Sequence, residues 1–504
     1  MNNNNQAAAS PRPRNKLKTV ATVLILVLLA ASAASLWFTL THKEIGINEN
    51  GAKTMFVKNS TTELDLSDSG LAGISGIEKC DALTSLSLKG MGLSSFDELE
   101  QCDGLTYLNL CGNDLSIEQH EQLQTALPDC KIEWEVPIGG EKFHVDTTTV
   151  DLGTIDPADW KLLTHLPALT HAESAALSPS TELIELFHLL PDCTFNWQTE
   201  VCGKLYPCDT KKLDFNDFKI TDFEKFKQEL AFLPDLRKVE LCRSGLKNSK
   251  MEELIATYPD VKFVWELTIG LWKIRTDVTN FSSANNAGIR HPEPDEWKQL
   301  KYLTDIISLD IGHNQQPADL SHLACLTKLR AIILDDCGIY NMSQLSSLVN
   351  LEYVEICENG IRDMSAVASW TKLKEINIAD NWITDFSPLY DLPYLKRVWL
   401  GKNWAAHDQR AEILANLPED VELNTYIGHN DYAMECSWNG EERPWRPIDY
   451  TKWGFTYDNP MNVREGSTAA EIWDNYSSAN IDTTPVLEDW ELEELAKAEA
   501  AKEG

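Results

Sequence analysis

The feature that most constrains this chain is a 22-residue period between Ile306 and Asn403. Leu329, Leu351, Leu373 and Leu395 each lie 22 residues after the last, and each opens the same pattern: apolar, two variable, apolar, one variable, apolar. Leu329/Ile332/Leu334, Leu351/Val354/Ile356, Leu373/Ile376/Ile378 and Leu395/Val398/Leu400 fill it, and Ile306/Leu309/Ile311 supplies an earlier copy. A fixed period of this size predicts a solenoid, in which each unit buries its apolar face only against its neighbours. The alternating apolar pair predicts a short strand with one face inward. Three residues after each third apolar position stands Asn314, Cys337, Asn359, Asn381 or Asn403. An inward Asn is costly unless its amide is paired, and the turn backbones of adjacent coils offer the partners. Cys337 takes the same slot as a small residue with a weak donor.

The second half of each unit reads Ile361-Arg362-Asp363-Met364-Ser365 and Ile383-Thr384-Asp385-Phe386-Ser387-Pro388. An Asp, an apolar residue, then Ser, with Pro in one copy, predicts a short capped turn behind the strand. These units resemble the leucine-rich repeat family, in particular the 22-residue repeats of bacterial internalin-like surface proteins. The resemblance implies an α/β solenoid with parallel strands on a concave face and a binding scaffold, without naming a ligand.

At the other end, 21 residues from Val20 to Leu40 carry no charge, long enough to span a bilayer. Arg12, Arg14, Lys16 and Lys18 precede them, which places the N-terminus on the cytoplasmic side and the body outside. A cleaved signal peptide is the rival reading, since Ala31-Ser32-Ala33 offers a small-residue site. Trp37 and Phe38 continue the apolar run beyond it and favour an uncleaved anchor. Those four basic residues face no acid, so with the chain at −34 the remainder carries −38. Such a body repels nucleic acid, which is therefore excluded as a partner.

A second, longer repeat occupies the middle. LPDCKIEW ends at Trp134, LPDCTFNW at Trp197 and YPDVKFVW at Trp265, each followed twelve positions later by Asp146, Asp209 or Asp277. A run with helical spacing precedes each Pro, and broken alternation at Gly139-Gly140, Cys202-Gly203 and Gly270 follows each Trp. Each unit therefore predicts helix, strand, then hairpin. The mixture resembles large exported leucine-rich repeat proteins of anaerobic Gram-positive bacteria. HDQRAEILANLPEDVELN, ending at Asn424, reads as a degraded copy closing the array.

The expected organisation is a short cytoplasmic N-terminus (1–18), a transmembrane signal anchor (19–40), a linker (41–60), N-terminal leucine-rich repeats (61–130), longer irregular repeats with hairpins (131–300), 22-residue repeats (301–429), an aromatic-rich C-terminal cap (430–485) and an acidic tail (486–504) that reads as a frayed helix or a frayed end. The cap segment crowds Trp438, Trp445, Trp453 and Trp473 with several tyrosines, so binding of cell-wall glycan through it is a second functional reading.

No residue pattern predicts catalysis, a metal or a cofactor. There is no Cys-x-x-Cys, His-Glu-x-x-His, phosphate-binding Gly loop or Gly-x-Ser-x-Gly elbow. Cys202 and Cys208 flank a predicted hairpin and form the one local disulfide candidate. Cys80 and Cys102 occupy the apolar slot that Leu348, Trp370 and Leu392 fill later. The expected partner is a protein or peptide held on the concave face. Stacking predicts outward rows Ser308/Ala331/Tyr353/Glu375/Arg397, Asp310/Ile333/Glu355/Asn377/Trp399 and Gly312/Asp335/Cys357/Ala379/Gly401. Tyr353, Glu355, Glu375, Arg397, Trp399, Asp335 and Ile333 are the expected contacts, with Tyr353, Arg397 and Trp399 exposed as anchors.

Overall fold

The computed structural model describes residues 14–46, 54–67, 69–270, 272–283, 292–425, 437–438, 441–442 and 487–503. The chain forms two compact units, Met1–Thr210 with Glu224–Asp235, and Lys211–Phe223 with Leu236–Gly504.

The first unit begins with the helix Arg14–Thr41, of which Ala21–Thr41 is long and apolar enough to cross a membrane. Its apolar side chains face outward, with Leu24 60% and Leu36 61% exposed. A hairpin of His42–Ile45 and Met55–Lys58 follows. Then four parallel strands stack in register: Glu63–Asp65, Ser85–Ser87, Tyr107–Asn109 and Lys131–Glu133. A second parallel sheet holds Thr149–Asp151, His171–Glu173 and Thr194–Phe195. One apolar core runs beneath both, from Ile45 to Cys208. Cys80 lies buried in that core and Cys102 packs against it, as their apolar slot requires. Burial pushes the Cys102 thiol up to about 12.

Hairpins end each long repeat. Glu135–Ile138 pairs with Glu141–His144, and Gln198–Val201 with Lys204–Pro207. Both turns need two residues with positive φ, supplied by Gly139 and Gly140 (59° and 84°) and by Cys202 and Gly203 (52° and 81°). That backbone matches the twist of the flanking strands. The repeated tryptophans lie beneath. The Trp134 ring stacks on His120 at 4.1 Å, and Trp197 Nε1 donates to the Phe232 carbonyl at 3.2 Å. The helices ahead of them are capped by sequence: Ser116 Oγ accepts from Gln119 N while Gln119 Oε1 accepts from Ser116 N. Ser180 Oγ likewise accepts from Leu183 N.

The second unit repeats this scheme with the parallel strands Lys212–Asp214, Lys238–Glu240 and Lys262–Val264, then the hairpin Glu266–Ile269/Trp272–Arg275. Trp265 Nε1 donates to Asn248 Oδ1 on the preceding helix, Asn248–Thr257. A seven-stranded parallel sheet follows, from Asn280–Ser282 through Ser308–Asp310, Ala331–Ile333, Tyr353–Glu355, Glu375–Asn377 and Arg397–Trp399 to Glu422–Asn424. The 22-residue period is thus one coil per strand. The sheet also takes in a strand one coil ahead of the periodic stretch, where Phe281 fills the inward position. Leu334, Ile356, Ile378 and Leu400 are fully buried, and each donates its N–H to the carbonyl of the next strand. Behind the strands, Asp319, Asn341, Asp363 and Asp385 accept from the N–H groups of Ser321, Ser343, Ser365 and Ser387 at 2.8–3.0 Å. The residue between each pair, Leu320, Met342, Met364 or Phe386, is buried. The closing copy supplies the helix Arg410–Asn416 and the strand Glu422–Asn424. Of the two readings of the acidic tail, helix or frayed end, Asp489–Glu503 is a helix, and ion pairs from its first turns tie it to the three-stranded sheet of this unit.

Candidate binding surfaces

The polar column is built by backbone geometry. Asn359 Oδ1 accepts from Cys337 N (3.1 Å) and Ile339 N (2.9 Å), while its Nδ2 lies 2.8–3.3 Å from the carbonyls of Leu334, Ile356 and Cys357. Asn381 and Asn403 repeat the scheme one coil further on, through Ile361 N, Ile383 N and the carbonyls of Ile356 and Ile378. Asn314 donates to Ser283 Oγ and the Ile311 and Gly312 carbonyls. Cys337 holds its slot with Sγ contacts to the Ile311 and Asp335 carbonyls. Asn113 does the same work in the first unit, between Leu93 N and the Leu88 and Leu110 carbonyls.

The expected contact residues align across adjacent strands. Ala331, Tyr353, Glu375 and Arg397 are direct partners in register, as are Ile333, Glu355, Asn377 and Trp399. Asp335 Oδ1 accepts from Cys357 N, which ties it to the next coil. Exposure departs from expectation. Tyr353 is 7% and Trp399 5% exposed, Glu355 3%, and Ile333 fully buried. Ala331, Ile333 and Tyr353 form a small apolar cluster of their own. The physical reason is that alternation fixes which way a side chain points and not how far that face stays open to water, so even the charged Glu355 lies buried there. Glu375, Arg397, Asn377 and Asp335 remain half-buried, with Arg397 Nε 3.2 Å from Glu422. Tyr353 and Trp399 therefore do not stand out as exposed anchors.

A second surface lies on the three-stranded sheet of this unit. Lys212, Lys238 and Lys262 are register partners on neighbouring strands. Glu491 of the C-terminal helix reaches Lys212 Nζ and Lys238 Nζ, both at 2.9 Å. Glu488 pairs with Lys262, Glu494 with Lys211, and the Arg237 guanidinium sits 5.7 Å from the centre of the Trp490 ring. Lys238 is fully buried and Glu491 6% exposed. Burial alone would raise the Glu491 carboxyl, yet the Glu488 N–H, Lys238 and Lys212 hold it below the usual carboxylate range. Glu240, next along from Lys238, is 2.9 Å from Lys212 and 3.3 Å from Arg275. Burial opposes its charge, but Lys212, Asn216 and Arg275 outweigh it and bring the carboxyl down to about 2. Arg275 is closed from its far side by Asp277, the third of the repeated aspartates, at 2.8 Å. The sequence carried a signal for this surface in the lysine ahead of each central apolar residue, in KLD, KVE and KFV.

The eleven described cysteines are free thiols, Cys202 and Cys208 included. Cys208 Sγ lies 3.3 Å from the Phe195 carbonyl. Among the described residues no group of His, Cys, Asp and Glu is placed to hold a metal. The aromatic segment expected as a cap or glycan platform, 430–485, lies outside the described residues apart from the strand fragments Ser437–Trp438 and Glu441–Glu442.

No family model and no curated protein matches the chain. Among solved structures it is similar to an internalin (inlF) from Listeria monocytogenes, 18% identical over 76% of this chain and 88% of that one, with a TM-score of 0.22. It is also similar to internalin C2 (inlC2) from Listeria monocytogenes, at 25% identity over 44% and 80% with a TM-score of 0.24. An LRR protein of Leptospira interrogans is 15% identical over 73% and 90%, with a TM-score of 0.24. The chain's own 22-residue coils, in-register parallel strands and buried Asn column are those of a leucine-rich repeat solenoid.

Proposed function

We propose that this is a non-catalytic, membrane-anchored recognition protein, its repeat body outside the cell, that binds a protein or peptide on the concave face of the 22-residue coils. The observation that carries the reading is the register of the strands from Ser308 to Trp399, which sets equivalent side chains of successive coils in rows. Strands about 4.8 Å apart turn five such coils into a patch roughly 20 Å long, the scale of a peptide contact. The polar members Glu375, Arg397, Asn377 and Asp335 now carry the contact, and Tyr353 and Trp399 shape the surface beneath. The four basic residues before the apolar helix support the orientation. A photo-cross-linking residue placed at position 375 or 397 should yield one discrete adduct on intact cells, and placed at the exposed position 372 should not. Identical adducts from all three positions would remove the face from consideration.

A further inference from the structure

We infer that the hairpin of His42–Ile45 and Met55–Lys58 is a membrane-seating surface. Its outer face lies in the headgroup boundary of the phospholipid bilayer that the apolar helix crosses, with Phe56 as its anchor. The inference rests on the membrane-anchored reading and adds a contact that a plain helical tether lacks. Its first support is what the two faces of the hairpin carry. Ile45 and Val57 belong to the apolar core of the first unit and are buried. The opposite face holds His42, Glu44, Phe56 and Lys58, since register sets His42 against Lys58 and Glu44 against Phe56. There Phe56 is 50% exposed, and Met55 beside it in the strand is 39% exposed. Apolar area left open in this way gains free energy on passing from water into lipid.

The second support is depth. The span Ala21–Thr41 has 21 residues. At about 1.5 Å each they rise about 32 Å, close to the ~30 Å of a bilayer's hydrocarbon core. Thr41 therefore stands at the boundary, and Phe38, three residues earlier, lies about 4.5 Å inside it. The Phe38 ring stacks on His42 at 4.2 Å and meets the Phe56 ring in a T-shaped contact at 5.1 Å. That contact sets Phe56 at the boundary, with Trp37, 64% exposed, one residue deeper on the helix. Aromatic side chains are favoured at this depth, and Lys58 on the same face can extend its ammonium to lipid phosphates. The third support is rigidity. Asn59 donates from its backbone N–H to the Thr41 carbonyl and from Nδ2 to the Leu40 carbonyl, both at 2.9 Å, which caps two of the helix's last carbonyls. On the other side, Gly46 N–H donates to the Ser75 carbonyl at 3.0 Å. Gly76, at φ 91°, lets the first coil approach so closely that a Cβ there would collide with the Glu44 carbonyl. The hairpin is thus fixed between helix and first coil, so the depth of the helix determines the depth of Phe56.

The test uses the unaltered full chain in phosphatidylcholine vesicles that contain a photoactivatable phosphatidylcholine. Its diazirine sits either beside the glycerol or at the far end of an acyl chain. After illumination and trypsin digestion, mass spectrometry reads the peptides 19–43, 54–58 and 205–211, the last holding the exposed Leu205 of another hairpin. Peptide 54–58 should carry at least threefold more adduct from the glycerol-side lipid than from the chain-end lipid. Peptide 19–43 should be labelled by both lipids and 205–211 by neither. Labelling of 19–43 without 54–58 would overturn the inference and leave the anchor standing. An unlabelled 19–43 would overturn the anchored reading itself, and the seating surface would fall with it. Equal labelling of 54–58 and 205–211, or equal yields on 54–58 from the two lipids, would show no seating at a fixed depth and overturn the inference as well.

Discussion

Asn359 makes two accepting contacts to backbone N–H groups and three donating contacts to carbonyls, so it stitches its coil to the one before. Replacing it with Ala removes the side-chain partner of the Cys337 and Ile339 N–H groups and the Leu334 carbonyl, while the Ile356 and Cys357 carbonyls keep Asn381 Nδ2 and Asp336 N; a group left without any partner costs about 1–3 kcal/mol. Asn359→Ala should therefore cost roughly 3 kcal/mol in chemical denaturation, whereas Cys337→Ala, which removes two weaker sulfur contacts, should cost about 1 kcal/mol. Equal losses would show the column to be filled volume, not a hydrogen-bonded spine. His322 offers a pH test at the same scale. It is 4% exposed, with Nε2 3.3 Å from Gln316 Oε1 and Nδ1 3.3 Å from the Asp319 carbonyl. Burial, reinforced by Lys298, lowers its pKa from 6.5 to about 4 against the opposing pull of Asp319. The unfolded chain then binds a proton below pH 6.5 that the folded chain refuses until about pH 4. Stability from this residue is complete above pH 6.5 and falls as the pH drops from 6.5 to about 4, by about 3 kcal/mol in all. In His322→Gln that part of the acid sensitivity should disappear, as followed by denaturation at pH 7 and pH 4.5.

At the scale of elements, punctuation was the most readable feature of the chain. The LPDC-to-Trp segments predicted a helix, a strand and a hairpin, and the three hairpins form where Gly139, Cys202-Gly203 and Gly270 break the alternation. The reason is local: a two-residue turn with positive φ accepts few residue types, so its sequence is nearly its structure. Cys202 is the poorest fit, a non-glycine at φ 52°. Its N–H donates to Glu229 Oε2, which a substitution preserves. Cys202→Asn, giving the Asn-Gly pair such turns prefer, should stabilise the protein by about 0.5–1 kcal/mol, read as a shift in denaturation midpoint without a change in slope. Burial of the outward rows was less legible. Periodicity aligned Tyr353 and Trp399 with their neighbours in register, but which surfaces stay wet depends on segments far away in sequence. The docked tail was hidden for the same reason: Glu491 and Lys238 are 253 residues apart.

At the scale of the whole chain, two electrostatic effects compete, and salt separates them. Beyond the first 40 residues the chain carries −38, so like charges repel across its folded surface and favour expansion. Its ion pairs act the other way. Exposed pairs such as Lys298–Asp295 contribute about 0–1 kcal/mol each and are screened, while the buried Lys238–Glu491 pair is screened much less. Raising sodium chloride from 0.1 to 1 M shortens the screening length from about 10 Å to about 3 Å. That removes most of the long-range repulsion and leaves the close buried contacts largely intact. The melting temperature of the full chain should therefore rise by about 2–5 °C over this range. Chloride is the informative salt, since sulfate strengthens apolar burial in any protein. A falling melting temperature would mean that attractive pairs outweigh the net charge, and the fold would then depend on its surface ion pairs far more than the repeat core implies.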